Sequence, residues 1–210
     1  MISEAQVTVT AADGVKLEAF LALPAAARAG LVVCHPHPLY GGDMENPVVT
    51  TIVEVAQAKN LASLRFNFRG VGRSTGTHGG GLPEVADARA AVDDLRARMG
   101  AGIPIGIAGY SFGAAVAMRV AASGSVTGLV LVAPPIATGM PRGLPPIESA
   151  AGPMLVIAGT RDDYCPEDRL AALVRLWPKA TVHRIDGADH FFSGRLGELS
   201  AALDDWLATQ

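Results

Sequence analysis

The strongest constraint on this chain is the shape of its apolar runs. Five of them are nearly continuous rather than alternating: residues 30–34 (GLVVC), 63–68 (SLRFNF), 103–108 (IPIGIA), 128–133 (GLVLVA) and 154–158 (MLVIA). A strand covered on one side alternates apolar with polar residues. A continuous run needs cover on both faces, as parallel strands have. Helical patterns fall between these runs. Asn46 and Pro47 open one that reaches about residue 60, with Asn as N-cap and Pro in the first turn. Others span 82–99, stopped by Gly100, then 112–123, 167–176 and 193–208. A last strand is predicted at about 181–185. Upstream, residues 6–10 (QVTVT) and 16–23 (KLEAFLAL) alternate with period two around Asp13 and Gly14, predicting an antiparallel hairpin. The pattern therefore predicts the α/β class: a mostly parallel central sheet, an N-terminal antiparallel hairpin, and helices on both faces.

The chain has 210 residues, and at about 150 residues per domain that allows one domain or two small ones. All the predicted strands are needed for one sheet, so residues 1–210 are read as a single domain. Half the residues are hydrophobic, which excludes a disordered chain. Seventeen basic against twenty acidic residues give a net charge of −3, and aromatics are only 5%. No basic footprint points to nucleic acid and no Lys/Arg run to a membrane surface. Residues 1–23 read as strands rather than an export signal, and no apolar run reaches membrane-spanning length. Cys34 and Cys165 are expected to be free thiols in a cytoplasmic protein.

Between the strand near 103–108 and the helix from 112 lies Gly109–Tyr110–Ser111–Phe112–Gly113, a G-x-S-x-G. The pattern alone is weak. Its context matters more, because a serine on a sharp strand-to-helix turn needs small neighbours at −2 and +2. The hydroxyl then stands above the sheet, and the Phe112 N–H lies at a helix N-terminus, suited to an oxyanion. The plainer reading is that Ser111 only caps the helix. A dinucleotide-phosphate turn needs a middle glycine that this motif lacks, and Gly70–Val71–Gly72–Arg73–Ser74–Thr75 lacks the third.

A serine hydroxyl needs an oriented base. Asp162 and Asp163 follow the strand at 154–158, and His190 follows the last strand. Both positions lie at C-terminal strand ends, the edge where open α/β sheets bind ligands. The order serine, acid, histidine is that of a nucleophile-elbow hydrolase. Adjacent carboxylates point apart, so only one of the two can reach His190; chemistry alone leaves the choice open. Each residue also has a bland reading, as turn, cap or core group.

Cys34–His35–Pro36–His37–Pro38–Leu39–Tyr40–Gly41–Gly42–Asp43 follows the third strand, whose loop supplies the second oxyanion donor in this kind of site. The two prolines carry no N–H, so Leu39 or Tyr40 is the expected donor, with His35 or His37 bracing the loop. The rival reading is a metal site on His35 and His37. Its third ligand would have to be Asp43, His78 or a distant carboxylate, and the chain is short for an α/β barrel. No metal and no cofactor are expected.

These residues resemble the α/β-hydrolase superfamily across almost the whole chain. The matching pieces are GYSFG at 109–113, GTRDDYCP at 159–166, GADHFF at 187–192 and the RFNFRGVGRS stretch at 65–74. HPHPLYGGDMENPVV at 35–49 is similar to a group of small bacterial lidless members related to esterases and dienelactone hydrolases. The resemblance implies Ser111 as nucleophile, Asp162 as acid and His190 as base, since members commonly read G-x-x-D with Pro three or four residues later. Many members carry Asp where this chain has Asn67, a structural position. Dienelactone hydrolases use Cys at the elbow, where this chain has Ser111.

The implied chemistry is hydrolysis of a small acyl ester through an acyl-enzyme. A thioesterase on the same residues, or a non-catalytic binding module, are the alternatives; a module of that kind usually loses one of the three residues. Residues 133–152 are proline-rich and too short for a separate cap domain, which favours a small soluble acyl substrate in an open cleft. Tyr40, Ile136, Met140, Leu144, Tyr164 and Phe191 are expected to line it, or else to pack over the sheet. Trp177 and Trp206 are read as packing residues, and Cys165 as buried and inert, although it lies close to Asp162.

Overall fold

The computed structural model describes residues 3–138, 152–175, 177 and 180–209. Among them, eight strands form one sheet: β1 (Ala5–Thr10), β2 (Lys16–Ala22), β3 (Gly30–Cys34), β4 (Ala62–Phe66), β5 (Ile105–Tyr110), β6 (Leu129–Val132), β7 (Met154–Gly159) and β8 (Ala180–Ile185). Their spatial order is β1-β2-β4-β3-β5-β6-β7-β8. β1 and β2 form the expected hairpin, with Ala5 opposite Leu21 and Thr10 opposite Lys16. β2 is also antiparallel to β4, and every pair beyond β4 is parallel.

The continuous apolar runs serve two cores. In β3, Val32 and Cys34 face one layer and Leu31 and Val33 the other; in β7, Met154, Val156 and Ala158 oppose Leu155 and Ile157. The first layer is closed by α2 (Leu82–Met99), α3 (Phe112–Ala121) and α4 (Glu167–Val174), the second by α1 (Pro47–Ala58) and α5 (Leu196–Leu207). The described residues contain no cap domain over the sheet, and no helix among them is long and apolar enough to cross a membrane.

The first four helices start where the sequence signals them, whereas α5 starts at Leu196, three residues after the expected 193. The Asn46 side chain accepts the Val48 N–H at 3.0 Å, with Pro47 in the first turn. Strand ends shift by about two residues, for local reasons. Pro104 has no N–H to give to a ladder, so β5 starts at Ile105 and runs on to Tyr110. β4 stops at Phe66: the Asn67 N–H still reaches Glu18 O of β2 at 2.8 Å, but the Phe68 N–H leaves the sheet for His35 Nε2 at 3.0 Å.

The chain leaves β3 toward β4 on one side and returns on the other side as β5. This is a point where strand order reverses, and ligands bind in the crevice at such points. The loop after β3 and the turn after β5 are therefore neighbours, with Cys34 paired to Gly109.

Candidate active site

β5 ends at Tyr110 and α3 begins at Phe112, which leaves Ser111 alone on the turn. Its backbone sits at φ 52°, ψ −116°, a region that non-glycine residues seldom occupy and that costs strain. Two glycines make the turn possible. A Cβ on Gly109 would run into the Gly113 carbonyl, and a Cβ on Gly113 into the carbonyls of Cys34 and His35. The Ser111 N–H donates to Val132 O at 2.9 Å, and its own carbonyl accepts from Ala114 and Ala115. The side chain makes no capping bond, so the helix-cap reading of Ser111 does not describe this turn.

The hydroxyl instead meets His190, with Ser111 Oγ 3.0 Å from Nε2. On the other side of the ring, Nδ1 lies 2.9 Å from both Asp162 Oδ1 and Oδ2. The carboxylate accepts only, so Nδ1 carries the proton and Nε2 is left to accept from the serine. Asp162 is buried and Asp163 exposed, which separates the two carboxylates. Asp162 Oδ1 also accepts the N–H groups of Tyr164 at 2.9 Å and Cys165 at 3.1 Å. The backbone of His190 is held from below, where Tyr110 Oη donates to its carbonyl at 3.0 Å. Burial, with Asp162 and Asp189 nearby, pushes the Tyr110 phenol well above its ordinary range, so it remains a donor. Asp189 shapes the loop by accepting from Phe191 N at 3.1 Å and Ser193 N at 2.9 Å.

The loop after β3 differs from expectation. Pro38–Tyr40 form a short 3₁₀ turn capped by His37, whose Nδ1 accepts the Leu39 N–H at 3.2 Å. The Tyr40 N–H donates to His37 O at 3.1 Å. Both donors expected to face an oxyanion are thus already committed. The N–H groups of Phe112 and His37 meet no acceptor among the described residues, and the His37 ring packs against Phe112 with centroids 4.9 Å apart.

Both histidines brace the loop. His35 is fully buried; Nδ1 donates to Pro36 O at 2.7 Å and Nε2 accepts from Phe68 N. With both ring nitrogens held by backbone, His35 has no lone pair to offer a metal ion. Burial lowers its pKa to about 4. His78 reaches the same neighbourhood from the stretch before α2. Its ring lies 5.1 Å from that of His37, and Nδ1 is 3.0 Å from Glu84 Oε1, though without hydrogen-bond alignment. Glu84 is fully buried and accepts from Gly79 N and Gly81 N. Asn67 is structural, joining Met44 N to Glu18 Oε2.

Of the expected cleft residues, Tyr164 and Phe191 flank His190, with ring centroids 4.6 and 5.5 Å from the imidazole. Tyr40 is exposed beside His37. Ile136 is buried in the core with α2 and α3, so it packs rather than lines a cleft. Met140 and Leu144 lie outside the described residues. Trp177 is buried and Trp206 packs on the α1/α5 side. Cys165 is buried, and desolvation, helped by the Asp162 charge, pushes its thiol up to about 12. The Tyr110 bond to His190 O, the Asp189 loop bonds and the His78–Glu84 contact are not signalled by the motifs that contain or flank these residues.

The comparisons with known proteins agree with this architecture. A solved α/β serine hydrolase homologue from Coxiella burnetii is 33% identical with a TM-score of 0.88, covering 99% of each chain. A Xanthomonas campestris protein described as an α/β serine hydrolase without a lid is 31% identical with a TM-score of 0.85, over 97% of this chain and 93% of that one. An uncharacterized Rickettsia prowazekii protein, RP471, is 34% identical over 85% of this chain and 78% of its own length. The model of the alpha/beta hydrolase domain matches residues 28–204, and the chain accordingly belongs to the alpha/beta hydrolase family.

Proposed function

We propose that the protein is a serine carboxylesterase that hydrolyses small acyl esters, with Ser111 as nucleophile, His190 as general base and acid, and Asp162 as the orienting carboxylate. The observation that carries this reading is the continuous chain Asp162–His190–Ser111, ending on a strained serine at a helix N-terminus. His190 Nε2 takes the hydroxyl proton as Oγ attacks the carbonyl carbon. The Asp162 charge stabilises the imidazolium that results. The oxyanion is received by the N–H groups of Phe112 and, we infer, His37, in place of Leu39 or Tyr40. The positive end of α3 favours the charge at that point. Collapse expels the alcohol, which takes the proton from His190, and water then releases the acid by the reverse sequence.

The similarity to proteins described as serine hydrolases, one of them without a lid, supports the reaction class. Cytoplasmic residence belongs to the same proposal and rests on the two free thiols, Cys34 and Cys165. The test is steady-state kinetics on p-nitrophenyl acetate beside a panel of thioesters and amides. The wild type should prefer oxygen esters. Ser111→Ala should lower kcat by roughly 10⁴-fold or more, and Asp162→Asn on the order of 10⁴-fold through the wrong imidazole tautomer. Equal turnover by Ser111→Ala would overturn the assignment.

A further inference from the structure

Tyr164 and Phe191 are 46% and 66% exposed, an unfavourable setting for two large rings. Both are nevertheless held by the loops that carry the acid and the base. The Tyr164 N–H donates to Asp162 Oδ1 at 2.9 Å, and its carbonyl accepts from Ala137 N at 2.9 Å. Phe191 is fixed by its N–H to Asp189 Oδ1. The next residue, Phe192, takes φ 54° and is fully buried. A bulky residue in that region is strained, and here the strained backbone buries Phe192 while leaving Phe191 outside. Both rings lie against the His190 imidazole, the Tyr164 centroid 4.6 Å away at 41° and the Phe191 centroid 5.5 Å away at 83°.

The chemistry says which part of a substrate meets them. When the tetrahedral intermediate collapses, the bond from carbon to the leaving oxygen breaks and its electron pair stays on that oxygen. The oxygen then takes the proton from His190 Nε2. It must lie within hydrogen-bond reach of Nε2, so the carbon skeleton of the alcohol departs along the His190 side. The acyl group stays bonded to Ser111 Oγ while the alcohol leaves. We propose that Tyr164 and Phe191 form a leaving-group subsite that selects esters of aromatic alcohols, the planar group packing against their exposed faces. This inference rests on the serine-hydrolase reading above.

The experiment compares kcat/KM for ethyl, cyclohexylmethyl and benzyl acetate, whose leaving oxygens are all alkoxides. Benzyl acetate should exceed both others by about tenfold, the scale of aromatic pairing. Tyr164→Ala and Phe191→Ala should each remove most of that preference, while Tyr164→Phe, which keeps the ring, should retain it. Exchanging acetyl for butanoyl at a fixed alcohol should change the rates of wild type and variants by the same factor. Fluorophosphonate labelling of Ser111 is measured on every protein in parallel. Labelling with no benzyl preference, or a preference that survives both alanine variants, overturns the subsite and leaves the serine mechanism standing. Absence of labelling overturns both.

Discussion

His37 is the residue whose structural role departs most from its sequence reading. It stands between two prolines, and counting N–H groups along the loop directs attention to Leu39 and Tyr40 beyond them. The 3₁₀ turn uses those two groups internally. A residue immediately before a proline-initiated turn is the one that caps it, and that signal was present in the sequence. His37 also offers a clean test. Its φ of −60° and ψ of 122° already suit proline, so His37→Pro removes the N–H with little change of backbone. Loss of an oxyanion donor should lower kcat by about 10²–10³-fold, whereas His37→Ala, which keeps the N–H, should cost less than tenfold. Equal effects would place the second donor elsewhere. The order of Ser111, Asp162 and His190 was readable because each sits just past a strand. Asp162 and Asp163 differ in burial and in reach to His190, which the chain order does not carry.

At the scale of elements, the starts of α1 and α2 were legible because Asn46 and Pro47, and Pro83 with Glu84, punctuate them. Strand ends were not, because they depend on where single N–H groups go. The Phe68 N–H goes to a histidine thirty-three residues earlier in the chain, which no local window reveals. The turn from β5 to α3 depends most on Gly113, which lets the first turn of α3 lie directly against the Cys34 and His35 carbonyls. Those neighbours are backbone and cannot turn aside. Gly113→Ala should cost about 3 kcal/mol in urea denaturation and should reduce activity in the fraction that folds. An alanine variant with unchanged stability and rate would show that this contact does not position Ser111.

For the molecule as a whole, strand order was the missing information. Only with β3 between β4 and β5 do the HPHP loop, the Ser111 turn and the His78–Glu84 pair meet in one place. His35 ties that region to the fold, and its titration gives a global readout. An unfolded histidine titrates near 6.5 and the buried His35 near 4. Between those values the unfolded state takes up a proton that the folded state refuses. Stability from this group is therefore complete above about pH 6.5 and falls as pH drops toward 4. Denaturation at pH 5 should show a loss of about 2 kcal/mol relative to pH 7 from His35 alone. His35→Gln, less stable at pH 7, should lack that part of the slope; an identical slope would assign it to other groups. The account as a whole stands on Ser111 being an activated nucleophile. The direct measurement is reaction of the whole protein with a fluorophosphonate, followed by mass spectrometry of its peptides. The account predicts a single adduct on Ser111 that Ser111→Ala abolishes. An unmodified wild type, or an adduct that persists in Ser111→Ala, would contradict it.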